Sequence, residues 1–357
     1  MLTTPVALGE LAAGDERPTQ PGRDLHWVVQ ATCPAEWWVY LESCGGGFFH
    51  TPAGLTAGAP AGEPVFGCLL HGDEVIGVAA GVRSRCRFGL RPRHVYFPTV
   101  PAVVCLQRRD EALAALVEVL RIEGAAEVAV DSFDARWQPE VASGEAGTGA
   151  RIEYVVRLKR DPDELTRLYH KHSRRRLERG MRQGWYVRTL EGHEAQLALA
   201  SVQEAAASRA AARGNTFQVV VPLAAGASSE RGLRWGVTTY SAWDDGMPLA
   251  TVLVGWANGR AYNLAGGSTS KGYASGAAAW LHWRIMCSLA EQGFTAYNLG
   301  GTPASAVRPT DPQHGLHRFK SSFGAELVSC RGVRRALRPT HLGLHRVARW
   351  VAARLRP

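Results

Sequence analysis

The stretch "VTTYSAWDDGMPLATVLVGWANGRAYNLAGG", residues 237–267, decides the fold of this chain. It contains apolar runs rich in β-branched and aromatic residues, parted only by Asp245-Gly246 and Asn258-Gly259. Asp-Gly and Asn-Gly accept the positive φ that a two-residue hairpin turn requires, so the stretch reads as an antiparallel meander of three strands. Downstream, "GAAAWLHWRIMCSLAEQG" (276–293) has apolar residues at helical spacing, and "FTAYNLGG" (294–301) reads as a further strand.

The first half repeats that order. "FGCLLHGDEVIGVAAGV" (66–82) reads as strand, Gly-Asp turn and strand, "DEALAALVEVLRIEG" (110–124) as a helix, and "AEVAVDSF" (126–133) as a strand. The small, glycine-rich "SGEAGTGA" (143–150) separates the copies as a linker. The expected architecture is α/β, with one unit over 1–150, a second over 151–335 and a basic C-terminal helix over 336–357. On that last helix Leu344, Val347, Val351 and Leu355 form one stripe beside Arg346, Arg349 and Arg356. Such a helix suits docking on the protein body or a membrane surface.

At 357 residues with 46% hydrophobic and 20% charged residues, the composition is that of a globular protein of about two domains. Lys and Arg outnumber Asp and Glu by 41 to 32, so the surrounding field attracts polyanions. The 7 cysteines are scattered and never form C-x-x-C, which argues against a disulfide framework and a zinc knuckle. No basic and apolar leader opens the sequence and no apolar run is long enough for a membrane span, so a cytoplasmic protein without stable membrane insertion is expected.

A single long helix is expected from Asp161 as N-cap and Pro162 at its first position, with Glu164 completing a capping box, to Gly184 at its far end. Leu165, Leu168, Tyr169, Leu177 and Met181 fall on one face. Arg167, Lys171, Arg174, Arg175, Arg179 and Arg182 fall on the other, with Glu178 as the sole acid, while Arg176 points toward the apolar side and needs a buried partner. A merely solvated face mixes signs; this one reads as an anion-binding surface.

Several chemistries find no support. There is no H-E-x-x-H, G-x-S-x-G or Walker loop, and His170, His172, His282, His314 and His317 lack a zinc spacing, so neither a metal nor a bound cofactor is expected. "AGGSTSKGYASGAAAW" (265–280) joins a strand to a helix through glycines, leaving helix N–H groups free for an anion. Acyl-CoA-using enzymes of the GNAT fold carry Q/R-x-x-G-x-G/A at such a loop. Here Tyr273 stands for the Gln or Arg and Ala278 for the second glycine, and close helix–strand packing accounts equally well for the glycines.

The succession "YHKHSRRRLERGMRQGWYV" (169–187), "YNLAGGST" (262–269), "YNLGG" (297–301) and "GLHRFKSSFGAELV" (315–328) resembles the Fem family of aminoacyl-tRNA-dependent transferases, over roughly residues 151–330. "FFHTPAG" (48–54) and "VYFPTVP" (95–101) are fainter echoes in the first half. The resemblance implies two tandem GNAT-like domains with mixed, mostly antiparallel sheets around an acceptor cleft. It implies an aminoacyl-tRNA donor, an amine on a small-molecule or peptide acceptor, amide-bond formation, and no role for DNA. Lys320 matches the lysine of the family's F-K motif and takes the catalytic position; Tyr262, Tyr297, Asn298, Gly300 and Gly301 fall at the acceptor cleft. Arg318 would meet a phosphate and Phe319 or Phe323 would stack on the terminal adenine, unless the two rings belong to the core, while Lys171, Arg174, Arg175, Arg179 and Arg182 would hold tRNA. The family often has Asp where Asn298 stands, and the long heptad insertion that some members carry as a coiled-coil arm is missing here. Acceptors in this group are peptidoglycan precursors or intermediates of peptide and aminosugar antibiotics. An acyl-CoA-dependent N-acyltransferase and a non-catalytic tRNA or anionic-surface binding module are the other readings open to these residues.

Overall fold

Asp245 (φ 49°), Gly246 (74°), Asn258 (49°) and Gly259 (68°) take the left-handed geometry of two-residue hairpin turns. The meander they close is therefore present, in a computed structural model that describes residues 25–84, 93–135, 137–140, 146–147, 149–212, 214, 235–340 and 342. The first part of the chain runs β1 (Leu25–Gln30), α1 (Trp37–Ser43), α2 (Pro52–Gly58), β2 (Glu63–His71), β3 (Glu74–Arg83), β4 (His94–Phe97), β5 (Ala102–Val103), α3 (Arg109–Ile122), β6 (Glu127–Val130) and β7 (Ala146–Gly147). There follow β8 (Arg151–Arg157), α4 (Pro162–Leu168), α5 (Lys171–Arg182), β9 (Tyr186–Leu190), α6 (Gly192–Ala211), β10 (Trp235–Asp244), β11 (Met247–Ala257) and β12 (Arg260–Ser268). The chain continues with α7 (Ser270–Ser275), α8 (Ala277–Glu291), β13 (Ala296–Pro303), α9 (His314–Ser321), β14 (Glu326–Cys330) and β15 (Val333–Ala336).

Two sheets result, ordered β1-β2-β3-β4-β6-β15-β7, with β5 on β3, and β14-β8-β13-β12-β11-β10-β9. Each contains an antiparallel meander whose last strand is followed by a helix and then a parallel neighbour: β4 with β6 across α3, and β12 with β13 across α8. The architecture is thus the tandem of two α/β units, with mixed, mostly antiparallel sheets, that the sequence implies. β15 does not extend the second sheet. It pairs with β6 and with β7, which lies inside the glycine-rich stretch read as a linker. Residues 343–357, most of the C-terminal helix expected from sequence, lie outside the described residues.

Helical spacing explains how each sheet is covered. On α3, Ala112, Leu113, Leu116, Val117 and Leu120 are buried against the first sheet, with Asp110 and Glu111 in the first turn favouring the helix dipole. α8 buries Trp280, Leu281, Ile285, Met286 and Leu289 in the core of the second. Between the units, Phe48 and Phe49 pack with Ala257 and Tyr262. A Cβ on Gly255 would stand 2.5 Å from Cζ of Phe48, so only glycine lets that ring lie on β11. Each aromatic side chain removed from water at this seam contributes on the order of 2 kcal/mol.

The long basic helix is in fact two, broken at Tyr169 and His170, which are extended (ψ 138° and 147°). The Tyr169 ring is buried edge-on to Phe323 at 5.0 Å, and the His170 N–H donates to the Ser322 carbonyl at 2.9 Å instead of to its own helix. Asp161 does cap α4, accepting from the Asp163 N–H at 2.9 Å, with no reciprocal bond from Glu164, and Gly184 (φ 68°) follows the end of α5. Met181 is exposed rather than packed. Arg176 is exposed too, its alkyl chain lying against Gly276, so it has no need of a buried partner.

Candidate active site

β12 and β13 pair in parallel only over Arg260–Tyr262 and Ala296–Asn298. Beyond that, Gly300 takes φ 74°, and β13 breaks register with β8 between Asn298 and Gly301. A Cβ on Gly300 would lie 3.1 Å from the Asn263 carbonyl, 3.5 Å from Lys320 Nζ and 3.6 Å from the Tyr262 hydroxyl, so glycine lets this turn lie close against those groups. Lys320 comes from α9, is buried, and donates to the Gly301 carbonyl at 3.1 Å, with Nζ 5.7 Å from the centre of the Tyr154 ring. Burial, then the Arg151 guanidinium, pulls its amine down to about 7, with Glu153 opposing. Around neutral pH this lysine therefore exists in both charge states.

Behind Lys320 lies a network that spans the two units. Glu153, on β8, accepts from Arg151 at 3.1 Å and from the Tyr262 hydroxyl at 2.9 Å on Oε1. On Oε2 it accepts from Asn298 Nδ2 at 2.8 Å and from the Asp134 N–H at 3.0 Å. Asn298 Nδ2 also reaches Asp134 Oδ1 at 3.1 Å, and its Oδ1 accepts from the Gly300 N–H at 2.9 Å. Arg260 grips Asp134 through two bonds, of 2.5 and 3.1 Å. Burial raises the Glu153 carboxyl above its usual range despite Arg151. Two carboxylates and two guanidiniums thus balance at the junction of the sheets, each hydrogen-bonded, as buried charges must be.

Of the residues singled out from sequence, Lys320, Tyr262, Asn298, Gly300 and Gly301 converge here. Tyr297 and Phe323 do not: both are wholly buried in the second core, Tyr297 with its hydroxyl 3.0 Å from His282 Nδ1 and Phe323 edge-on to Phe319 at 5.0 Å. Phe323 offers no stacking face to a ligand, Phe319 is half-buried, and Arg318 is exposed. On α5, Lys171, Arg175, Arg179 and Arg182 are exposed, while Arg174 folds back onto the carbonyls of Arg167 (3.1 Å) and Tyr169 (3.3 Å). Among the described residues none of these five forms an ion pair with a carboxylate. The helix starts beside Ser322, two residues past Lys320, and reaches Gly276 through Arg176, so its basic face runs from the lysine helix to the α7–α8 junction.

Arg151, Glu153, Asp134 and Arg260 were not singled out from sequence. Arg151 and Glu153 did leave a signal, a charged pair on one face of the apolar strand "RIEYVVR". Asp134 left none. In the glycine-rich junction, a Cβ on Gly272 would meet the Leu249 carbonyl at 1.9 Å, which is close packing, while Gly276 (φ 80°) ends α7 and starts α8. Tyr273 is exposed, with the Arg209 guanidinium over its ring at 5.0 Å. Among the described residues no group of His, Cys, Asp and Glu is placed to hold a metal ion, and no helix is long and apolar enough to cross a membrane.

A family model described as an acetyltransferase (GNAT) domain matches residues 141–321. The fold is similar to the crystal structure of FemX, with a TM-score of 0.64 and 14% identity, covering 85% of this chain and 98% of that one. It is also similar to the structure of L-PGS from Bacillus licheniformis, with a TM-score of 0.52 and 14% identity, covering 88% of this chain and 95% of that one. Both likenesses are of fold. A comparison with curated protein sequences found no match.

Proposed function

This chain belongs to the acetyltransferase (GNAT) domain family, and within that family we propose that it is an aminoacyltransferase, drawing on aminoacyl-tRNA and forming an amide with an amine of a small or peptidic acceptor. The observation that carries this reading is Lys320: a buried amine brought to about 7, held on the Gly301 carbonyl just past the point where β12 and β13 part. An aminoacyl ester is already activated. The acceptor nitrogen forms the new C–N bond, the ester C–O bond breaks, and the departing ribose hydroxyl of the tRNA takes up the proton that the amine gives away. Neither a protein nucleophile nor a metal is required; positioning and a positive charge at the developing oxyanion suffice. In its protonated form Lys320 supplies that charge. The network of Glu153, Asn298 and Asp134 fixes Gly300 and Tyr262 around the same space.

The donor assignment rests on the Fem resemblance of the sequence and on the basic face of α5, which makes no ion pair with a carboxylate among the described residues, with Arg318 as a further phosphate contact and Phe319 as the ring still available to an adenine. The altered loop at Tyr273 and Ala278 weighs against acyl-CoA, the donor that the family otherwise suggests. A peptidoglycan precursor or an antibiotic intermediate would serve as acceptor in the cytoplasm. Parallel titrations with charged tRNA and with CoA test the assignment. Saturable tRNA binding without heat of CoA binding is expected; micromolar CoA binding with no tRNA binding would overturn it.

A further inference from the structure

An aminoacyl ester is attacked by a neutral amine, whereas an alkylamine or peptide amine reaches a neutral solution as its ammonium ion. A group near Lys320 must therefore take a proton before the C–N bond forms, a requirement that rests on the transferase reading above.

His314, His317 and Lys320 follow one another at three-residue spacing, so their side chains run along one face of α9. That face lies on Tyr154 of β8, which is wholly buried. The Tyr154 hydroxyl stands 2.8 Å from Thr302 Oγ1 and 2.8 Å from His317 Nδ1, while Lys320 Nζ lies over its ring, 5.7 Å from the centre. One tyrosine thus fixes both groups, the imidazole at its hydroxyl and the amine at its face.

The other imidazole beside Lys320 is that of His282, which is buried among Tyr297, Phe319 and Phe323 and cannot meet a substrate. His317 is only half-buried, and its Nε2 bonds to no described residue and is not sealed from solvent. When Nδ1–H donates to the Tyr154 hydroxyl, which donates on to Thr302, Nε2 is left as a bare acceptor. The titratable groups facing His317 are Tyr154 from β8 and His314 and Lys320 from its own helix. β13 brings only the Thr302 hydroxyl, and Asp311, ahead of α9, acts on His314 instead. Burial, then the neighbouring His314, lowers the His317 imidazole below its ordinary value, so it is neutral at pH 7. His314 itself donates from Nδ1 to the Ala306 carbonyl at 3.0 Å.

We propose that His317 Nε2 is the proton acceptor of the transfer, taking one proton from the ammonium group of the acceptor, and that Tyr154 and Thr302 are positioning residues that hold its ring in the accepting tautomer. An N–H bond of the ammonium breaks, its electron pair stays on nitrogen, and the proton forms a new bond to Nε2. The freed amine attacks the ester carbon beside the Lys320 charge, its second proton goes to the departing ribose oxygen, and the imidazolium returns its proton to water. An acceptor that arrives as ammonium needs this step; one that arrives neutral does not.

Ethylamine and methoxyamine test it, being alike in size, the first an ammonium ion and the second neutral at pH 7. With labelled aminoacyl-tRNA as donor and the uncatalysed reaction subtracted, His317→Asn should lose at least about a hundredfold in kcat/KM for ethylamine and less than about threefold for methoxyamine. Imidazole in the buffer should restore ethylamine transfer to His317→Ala, which a merely structural histidine would not allow. A loss equal for the two amines and not rescued by imidazole, or no loss with either, would overturn the proposal while the transferase reading stands. Absence of transfer to both amines by the wild type would defeat the transferase reading and the proposal with it.

Discussion

Asn298 Nδ2 lies 2.8 Å from a carboxylate oxygen of Glu153 and 3.1 Å from one of Asp134, so a single neutral amide bridges buried acids from the two units. Its carbonyl side takes the Gly300 N–H at 2.9 Å, which fixes the turn in front of Lys320. Where the Fem resemblance expects an aspartate, this geometry demands a donor, because a third carboxylate would face two others without a proton to share.

Asn298→Asp should therefore destabilise the protein by about 2–4 kcal/mol at pH 7, read from urea unfolding. The new carboxyl would titrate above its unfolded value, so the folded state binds the extra proton. The deficit should shrink as the pH is lowered and be largest above neutrality. A variant as stable as the wild type across that range would mean that the two acids are not both charged.

Lys320 should govern the pH dependence. Its amine titrates near 7 in the folded protein instead of near 10.5, so between those values the unfolded chain binds the additional proton and stability rises with pH. The stability difference between wild type and Lys320→Met should follow that slope and level off on either side. In transfer assays Lys320→Ala should lose at least about a hundredfold, the scale of one oxyanion-stabilising group. Wild-type turnover should fall as pH rises through about 7, whereas Lys320→Arg, permanently charged but bulky and planar, should be slow and free of that limb. Full activity in all three variants would return Lys320 to a structural role.

The basic face of α5 should act through phosphate contacts. Reversing Arg175 and Arg179 to Glu should weaken tRNA binding and lower the log–log salt slope by about one unit for each contact removed. Both residues are exposed, so the unfolding midpoint should barely move. An unchanged affinity and slope would mark this helix as a solvated face.

The meander, the apolar helix and the strand "FTAYNLGG" were legible because their signals are local: Asn-Gly and Asp-Gly turns, alternation, and helical spacing. The break at Tyr169 was not, since it depends on Phe323 and Ser322, more than 150 residues downstream. Lys320, Gly300 and Asn298 could be found because they sit in one compact motif region. Asp134 could not: its partners Arg260 and Asn298 are 126 and 164 residues away, and only the packing of the two units brings them together. Phe323 shows the converse, an aromatic in a functional-looking motif whose spacing fits a core residue equally well.

Aminoacyl transfer is read directly by incubating the protein with total tRNA charged with labelled amino acids and a primary amine, with and without RNase, and following label into an amide. Transfer should need no CoA, be abolished by RNase, and be lost in Lys320→Ala. Transfer that survives RNase and requires an acyl-CoA donor would contradict the tRNA-dependent reading.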